Sequence, residues 1–226
     1  MAVCELRFPT LLELETASPV KLQKALRKEY PNYEKTRSVS LGIGGVEGEV
    51  RHLFRSRQNG FVVAFRASAI SLETDRYRTF EDFRERLSKV IQAAVDIIDS
   101  DFFTRIGLRY INSIPISDNA IEGWLNPDLV RPLTDGTYGT VTKFWQEVQG
   151  HAKVGQYSFR HGFAEPKANV PHYQLDIDMY DDETTVADSL TRTSELHAQS
   201  YDFFSWAAGP RTISAMGPAR DKPGSR

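Results

Sequence analysis

The chain has 226 residues, 40% of them apolar and 11% aromatic, enough to bury the core of one domain or of two tightly packed halves. A formal net charge of −2 and a pI near 6.2 give no global pull toward nucleic acid or anionic lipid, so any such partner must be met by a local patch. Cys4, the single cysteine, excludes an internal disulfide and a thiolate metal cluster and fits a reducing compartment.

In chain order, residues 3–8 read as a short strand. Ser18 before Pro19 has the form of an N-cap followed by the first helical residue, and Leu22, Ala25, Leu26 and Tyr30 follow at helical spacing until Pro31. A weak strand near Ser38 is separated by the Gly-rich turn 42–48 from a better one at 50–57. Asn59 and Gly60 then turn the chain into a strand at 61–70, which suggests an antiparallel meander of three strands. Thr79 and Asp82 have the form of a capping box, and Phe80, Phe83, Leu87, Val90, Ile91, Ala94 and Ile98 recur every three or four residues in a long helix.

The longest alternating run is FFTRIGLRYINSIPI at 102–116. Its even positions are mostly apolar, its odd positions carry Arg105, Gly107, Arg109 and Ser113, and Asn112 with Ile111 breaks the pattern at its centre. Such a break marks a polar network or a site. Short helical pieces follow across 120–131, with Asn126 and Pro127 repeating the cap-then-proline pattern. Strands are expected at 141–151, 154–163 and 172–180, and a last helix at 184–206. The halves 1–100 and 101–206 share one order of elements. The expected fold is α+β: a duplicated strand-helix-meander-helix unit with antiparallel sheets covered by two long helices, a ligand cleft between the halves, and a mobile tail at 207–226.

The run RIGLRYIN at 105–112, CELRF at 4–8, SLET followed by Tyr77, and LDID at 175–178 resemble a sporadically distributed family of uncharacterised prokaryotic proteins. These marks span nearly the whole chain. The resemblance implies a common fold and a bacterial or archaeal origin, with no activity attached. Its sporadic distribution hints at mobile or defence-related gene neighbourhoods.

Four constellations carry candidate chemistry. Asp176 and Asp178 alternate with apolar neighbours, so both carboxylates point to one strand face and could hold magnesium or manganese; the competing reading is a solvated face leading into an acidic helix start. Arg105 and Arg109 flank Gly107 on one face, an arrangement suited to a carboxylate or phosphate, with Asn112 on the opposite face beside Tyr110. The structural alternative pairs Arg109 with Asp176 or Asp178. Arg51, Arg55, Arg57 and Arg66 form a locally basic surface for nucleic acid or an acidic partner, although acids interleave along the helix that follows. His197 sits in the stripe of the last helix, where a base could sit, but a core histidine bonded to a backbone carbonyl or to Tyr110 is the stronger reading. No phosphate-binding loop or nucleophile elbow is present.

No charged-then-apolar leader opens the sequence, and no apolar run approaches the roughly 18 residues of a membrane helix, so a cytoplasmic protein is expected. The favoured function is non-enzymatic binding of a small ligand or protein partner through the cleft or the surface around Arg51 and Arg66, with no cofactor. The alternatives are a magnesium- or manganese-dependent phosphodiesterase or nuclease using Asp176 and Asp178, and a nucleic-acid-binding accessory subunit.

Overall fold

Alternation of apolar and polar residues governs most of the chain, and its strands are long enough to join into one sheet. The computed structural model describes residues 1–42, 45–116, 121–167 and 170–216. The strands are β1 (Ala2–Arg7), β2 (Asn32–Gly42), β3 (Gly45–Arg55), β4 (Phe61–Arg66), β5 (Ala69–Thr74), β6 (Phe102–Pro115), β7 (Trp145–His151), β8 (Gln156–Lys167) and β9 (Val170–Thr185). The helices are α1 (Glu13–Thr16), α2 (Val20–Leu26), α3 (Phe80–Ile98), α4 (Pro127–Thr134), α5 (Ser189–Ala207) and α6 (Pro210–Ala215).

All nine strands belong to one sheet of order β2-β3-β4-β5-β1-β6-β9-β8-β7. This corrects the expected fold of duplicated units whose sheets are covered by two long helices. Among the described residues one sheet replaces several, the chain's first half supplies a four-strand meander and its second half three strands, and six helical segments of 4 to 19 residues accompany it. The extra strand arises because the expected run at 61–70 is a hairpin, with Arg66 opposite Ala69 and β5 continuing through Thr74. Part of the expected tail, Pro210–Ala215, is helix α6; residues 217–226 lie outside the described residues, as do 43–44 of the Gly-rich turn and 117–120 of the expected helical stretch.

The chain resolves into two compact units. Unit 1 comprises Met1–Tyr110, Gly150–Tyr157 and Asp178–Gln199. Its sheet is antiparallel, with Cys4 opposite Leu72 and Leu108, and Val63 opposite Leu72 and Phe54. These side chains, with Leu6, Ile70, Phe65 and Ile106, are buried together with the α3 stripe Phe83, Leu87, Val90, Ile91, Ala94 and Ile98. Thr79 Oγ1 accepts from Asp82 N at 3.3 Å and starts α3, while Asp99 in the left-handed region ends it. Cys4 is fully buried, its sulfur beside Thr193 of α5, and burial pushes its thiol up to about 12, which suits packing better than nucleophilic attack.

Unit 2 comprises Ile111–Gln149, Ser158–Ile177 and Ser200–Arg226. Its core gathers Ile114, Leu125, Val130, Phe159, Tyr173, Leu175 and Ile177. Asn126 caps α4 by accepting from Asp128 N and ties it to α5 by donating to the Trp206 carbonyl, both at 2.9 Å. Among the described residues no helix is long and apolar enough to cross a membrane.

Candidate interaction face

With Cys4 and Leu6 turned to the core, Val3, Glu5 and Arg7 of β1 must face the other side of the unit 1 sheet. The register then sets a row of arginines across the strands: Arg66 lies opposite Ala69, Ala69 opposite Arg7, and Arg7 opposite Arg105. Arg51 continues the row on β3, one residue before His52, which pairs with Phe65. In the next row Ala64 and Ser71 lie opposite each other, and Glu5 faces Ser71 on one side and Gly107 on the other.

Carboxylates lace these arginines together. Glu5 receives Arg7 Nε at 2.7 Å and Arg66 Nη2 at 2.9 Å, and Arg66 Nη1 reaches Glu49 at 2.9 Å. Arg51 Nη2 lies 3.4 Å from Glu73, which also accepts from Ser71 Oγ at 2.8 Å. Burial opposes ionisation of Glu5, but the hydrogen bond from Arg7 and the charges of Arg66, Arg7 and Arg105 outweigh it and hold the carboxyl below its usual range. Desolvation likewise works against the Arg66 cation, and Glu49 and Glu5 more than offset it. The small side chains leave a shallow depression of about 10 Å³ lined by Glu5, Arg51, Ala64, Arg66, Ala69 and Ser71, room for one water-sized group.

At one end of this row Arg105 lies flat. Its guanidinium carbon stands 4.3 Å from the centre of the Tyr180 ring, Nη2 is 3.2 Å from Asp178, and a β-carbon on Gly107 would meet Nη1 at 2.9 Å. Gly107 is the residue that lets the side chain lie down. Gly107→Ala should lift Arg105 from this seat and cost about 1 kcal/mol of stability by chemical denaturation. An unchanged midpoint would mean that the Arg105 seat contributes nothing to the fold.

The remaining sequence candidates lie outside the arginine row. Arg55 meets Glu34 at 3.3 Å, Arg57 is exposed just past β3, and Arg109 shares the ion-paired face, opposite Val3. Asp176 is buried in unit 2 against Arg160 Nε at 3.5 Å, and Asn112 is half-buried in the same unit. Asp176 and Asp178, the candidate magnesium or manganese ligands, therefore each face an arginine; among the described residues no three His, Cys, Asp or Glu side chains converge as metal ligands.

On the core side of unit 1, His197 Nδ1 lies 3.0 Å from Tyr110 Oη, which lies 3.3 Å from Tyr77 Oη, and the His197 ring stacks on Phe80 at 3.9 Å. Burial lowers the His197 pKa against the pull of Glu81 and raises that of Tyr110. With the imidazole neutral, one ring nitrogen donates and the other accepts, and the two hydroxyls can orient to complete a chain with either tautomer. This chain ties β6, the β5–α3 connection and α5 together. A larger polar hollow of about 210 Å³ opens at the start of α5, where Thr185 caps Asp188 N at 3.1 Å and Arg192 is held by Asp181 at 3.1 Å and Glu195 at 3.0 Å.

Sequence reasoning found Arg51, Arg66 and Arg105 of the face and missed Arg7, Glu5, Glu49, Glu73 and Tyr180. The signal was present for three of them, in the alternation Val3, Glu5, Arg7 and in Ser71 and Glu73 of SLET. Compared with known proteins, the chain matches no family model, no curated protein and no solved structure.

Proposed function

We propose that the chain is a non-enzymatic, cytoplasmic binding protein that engages a protein partner through the ion-paired face of unit 1. What supports this reading most is the arginine row Arg51, Arg66, Arg7 and Arg105, fixed in register across the strands and held by Glu5, Glu49, Glu73 and Asp178. Pre-paired guanidiniums lose little freedom on binding, and Arg7 and Arg51 keep side-chain exposures of 48% and 42%. Acids beside every one of these arginines disfavour a polyanion and suit a partner surface that itself carries both signs of charge.

The test is capture from an extract of the source cells by wild type and by the double variant Arg7→Glu, Arg51→Glu. Exposed pairs of this kind contribute at most about 1 kcal/mol each, so the variant should melt near the wild type. A partner retained by the wild type should be lost by the variant and released by salt. Capture by both proteins with the same salt response, or by neither, would end the reading. An oligonucleotide that binds wild type and competes with the partner would move the function to nucleic acid.

A further inference from the structure

The sheet has two edge strands, and they are built differently. The described part of β2 carries Glu34, Lys35 and Arg37, side chains that oppose pairing with another chain. Strand β7, WQEVQGH, has no lysine, arginine or proline and one formal charge, Glu147. All of its residues except Gly150 are exposed, Trp145 at 45% and Val148 at 41%.

Two backbone bonds fix which way its peptide groups point. Phe163 N donates to the Phe144 carbonyl at 2.9 Å and Ala152 N to the Gly155 carbonyl at 3.0 Å, so even-numbered residues of this stretch address β8. The N–H and C=O groups of Trp145, Glu147, Gln149 and His151 therefore point away from the sheet.

We propose that β7 pairs antiparallel with β7 of a second copy about a twofold axis through Val148, continuing the sheet from one protomer into the next. In that register every outward backbone group of the strand finds its partner. Trp145 lies opposite His151, Glu147 opposite Gln149, and the two Val148 side chains meet on the axis. The strand's own pattern selects this axis. Moving it to Glu147 sets two carboxylates opposite each other, and moving it to Gln149 leaves Trp145 beyond the end of the partner strand. The interface is isologous and closes at two copies.

Sedimentation velocity of the full chain across a wide concentration range tests this with two substitutions on the exposed face. Gln149→Glu places a carboxylate opposite Glu147 and should weaken dimerisation about tenfold or more; Gln149→Lys places an ammonium there and should strengthen it by a similar factor. Both should leave the protomer folded. Hydrogen exchange should slow at the amides of Glu147, Gln149 and His151 as concentration rises. A monomer at every concentration, a dimer whose affinity ignores both substitutions, or a β7 that pairs only with a strand of another protein would overturn the proposal.

Discussion

Asp176→Asn should lower stability by about 3 kcal/mol, a fall of roughly 6–12 °C in Tm for a chain of this size. The carboxylate is 1% exposed in β9, and the cation across from it, Arg160, keeps 29% of its side chain in solvent. Removing so buried a carboxylate leaves the guanidinium partly desolvated without its nearest counter-charge. Because Arg160 can still turn toward water, the expected loss sits at the low end of the range for broken buried pairs. Asp178→Asn should cost less, about 1 to 2 kcal/mol, since Asp178 and Arg105 keep 18% and 20% exposure. Equilibrium denaturation of the two variants, with Arg160→Met and the double substitution closing a cycle, measures the coupling directly. A melting temperature unchanged by Asp176→Asn would overturn the structural role and return attention to the carboxylate as a reacting group.

Elements that announce themselves by periodicity, α3 above all, were legible in the chain. The sheet was not, because its decisive pairings join residues far apart: β1 sits between β5 and β6, so Cys4 meets Leu72 and Leu108. No local pattern carries that information. The β4–β5 hairpin was hidden for a different reason, since it turns at Ala67 and Ser68 with none of the Gly, Asn or Pro that signal a turn. Helix α6 did carry a signal, Gly209 as N-cap and Pro210 at the first turn, but the surrounding Gly, Pro and Ser masked it.

The interaction face shows the same division. Clustered arginines stand out in a sequence, whereas Glu49, Glu73 and Glu5 lie on three separate strands and become one network only through register. A basic patch in one dimension is thus a nearly neutral lattice in three. That difference is what moves the favoured partner from a polyanion to a protein surface of mixed charge, because each guanidinium already has a carboxylate that an incoming phosphate must displace. The pH response of the face follows from the same pairing. Glu5 is held below its usual range when folded, so its contribution is present at neutral pH and lost as pH falls through its folded pKa.

A larger pH effect is expected from unit 2. His161 is 1% exposed in β8, with Nδ1 2.7 Å from Tyr173 Oη and its ring stacked on Phe159 at 5.1 Å. Burial pushes its pKa down to about 4, and burial likewise holds the Tyr173 hydroxyl protonated beside the neutral ring. An unfolded histidine titrates near 6.5, so between about pH 6.5 and 4 the unfolded chain holds a proton that the folded chain does not. Stability therefore falls as pH drops through that window and levels off below it, by up to about 3 kcal/mol from this one residue. His161→Gln keeps a hydrogen-bonding partner of either sense for Tyr173 and removes the titration. The difference in unfolding free energy between wild type and variant should thus slope across the window and be flat above it, while His52 and His197 contribute equally to both proteins and cancel. A flat difference curve down to about pH 4 would show that the folded chain protonates His161 as readily as the unfolded one, and that β8 opens to admit the charge.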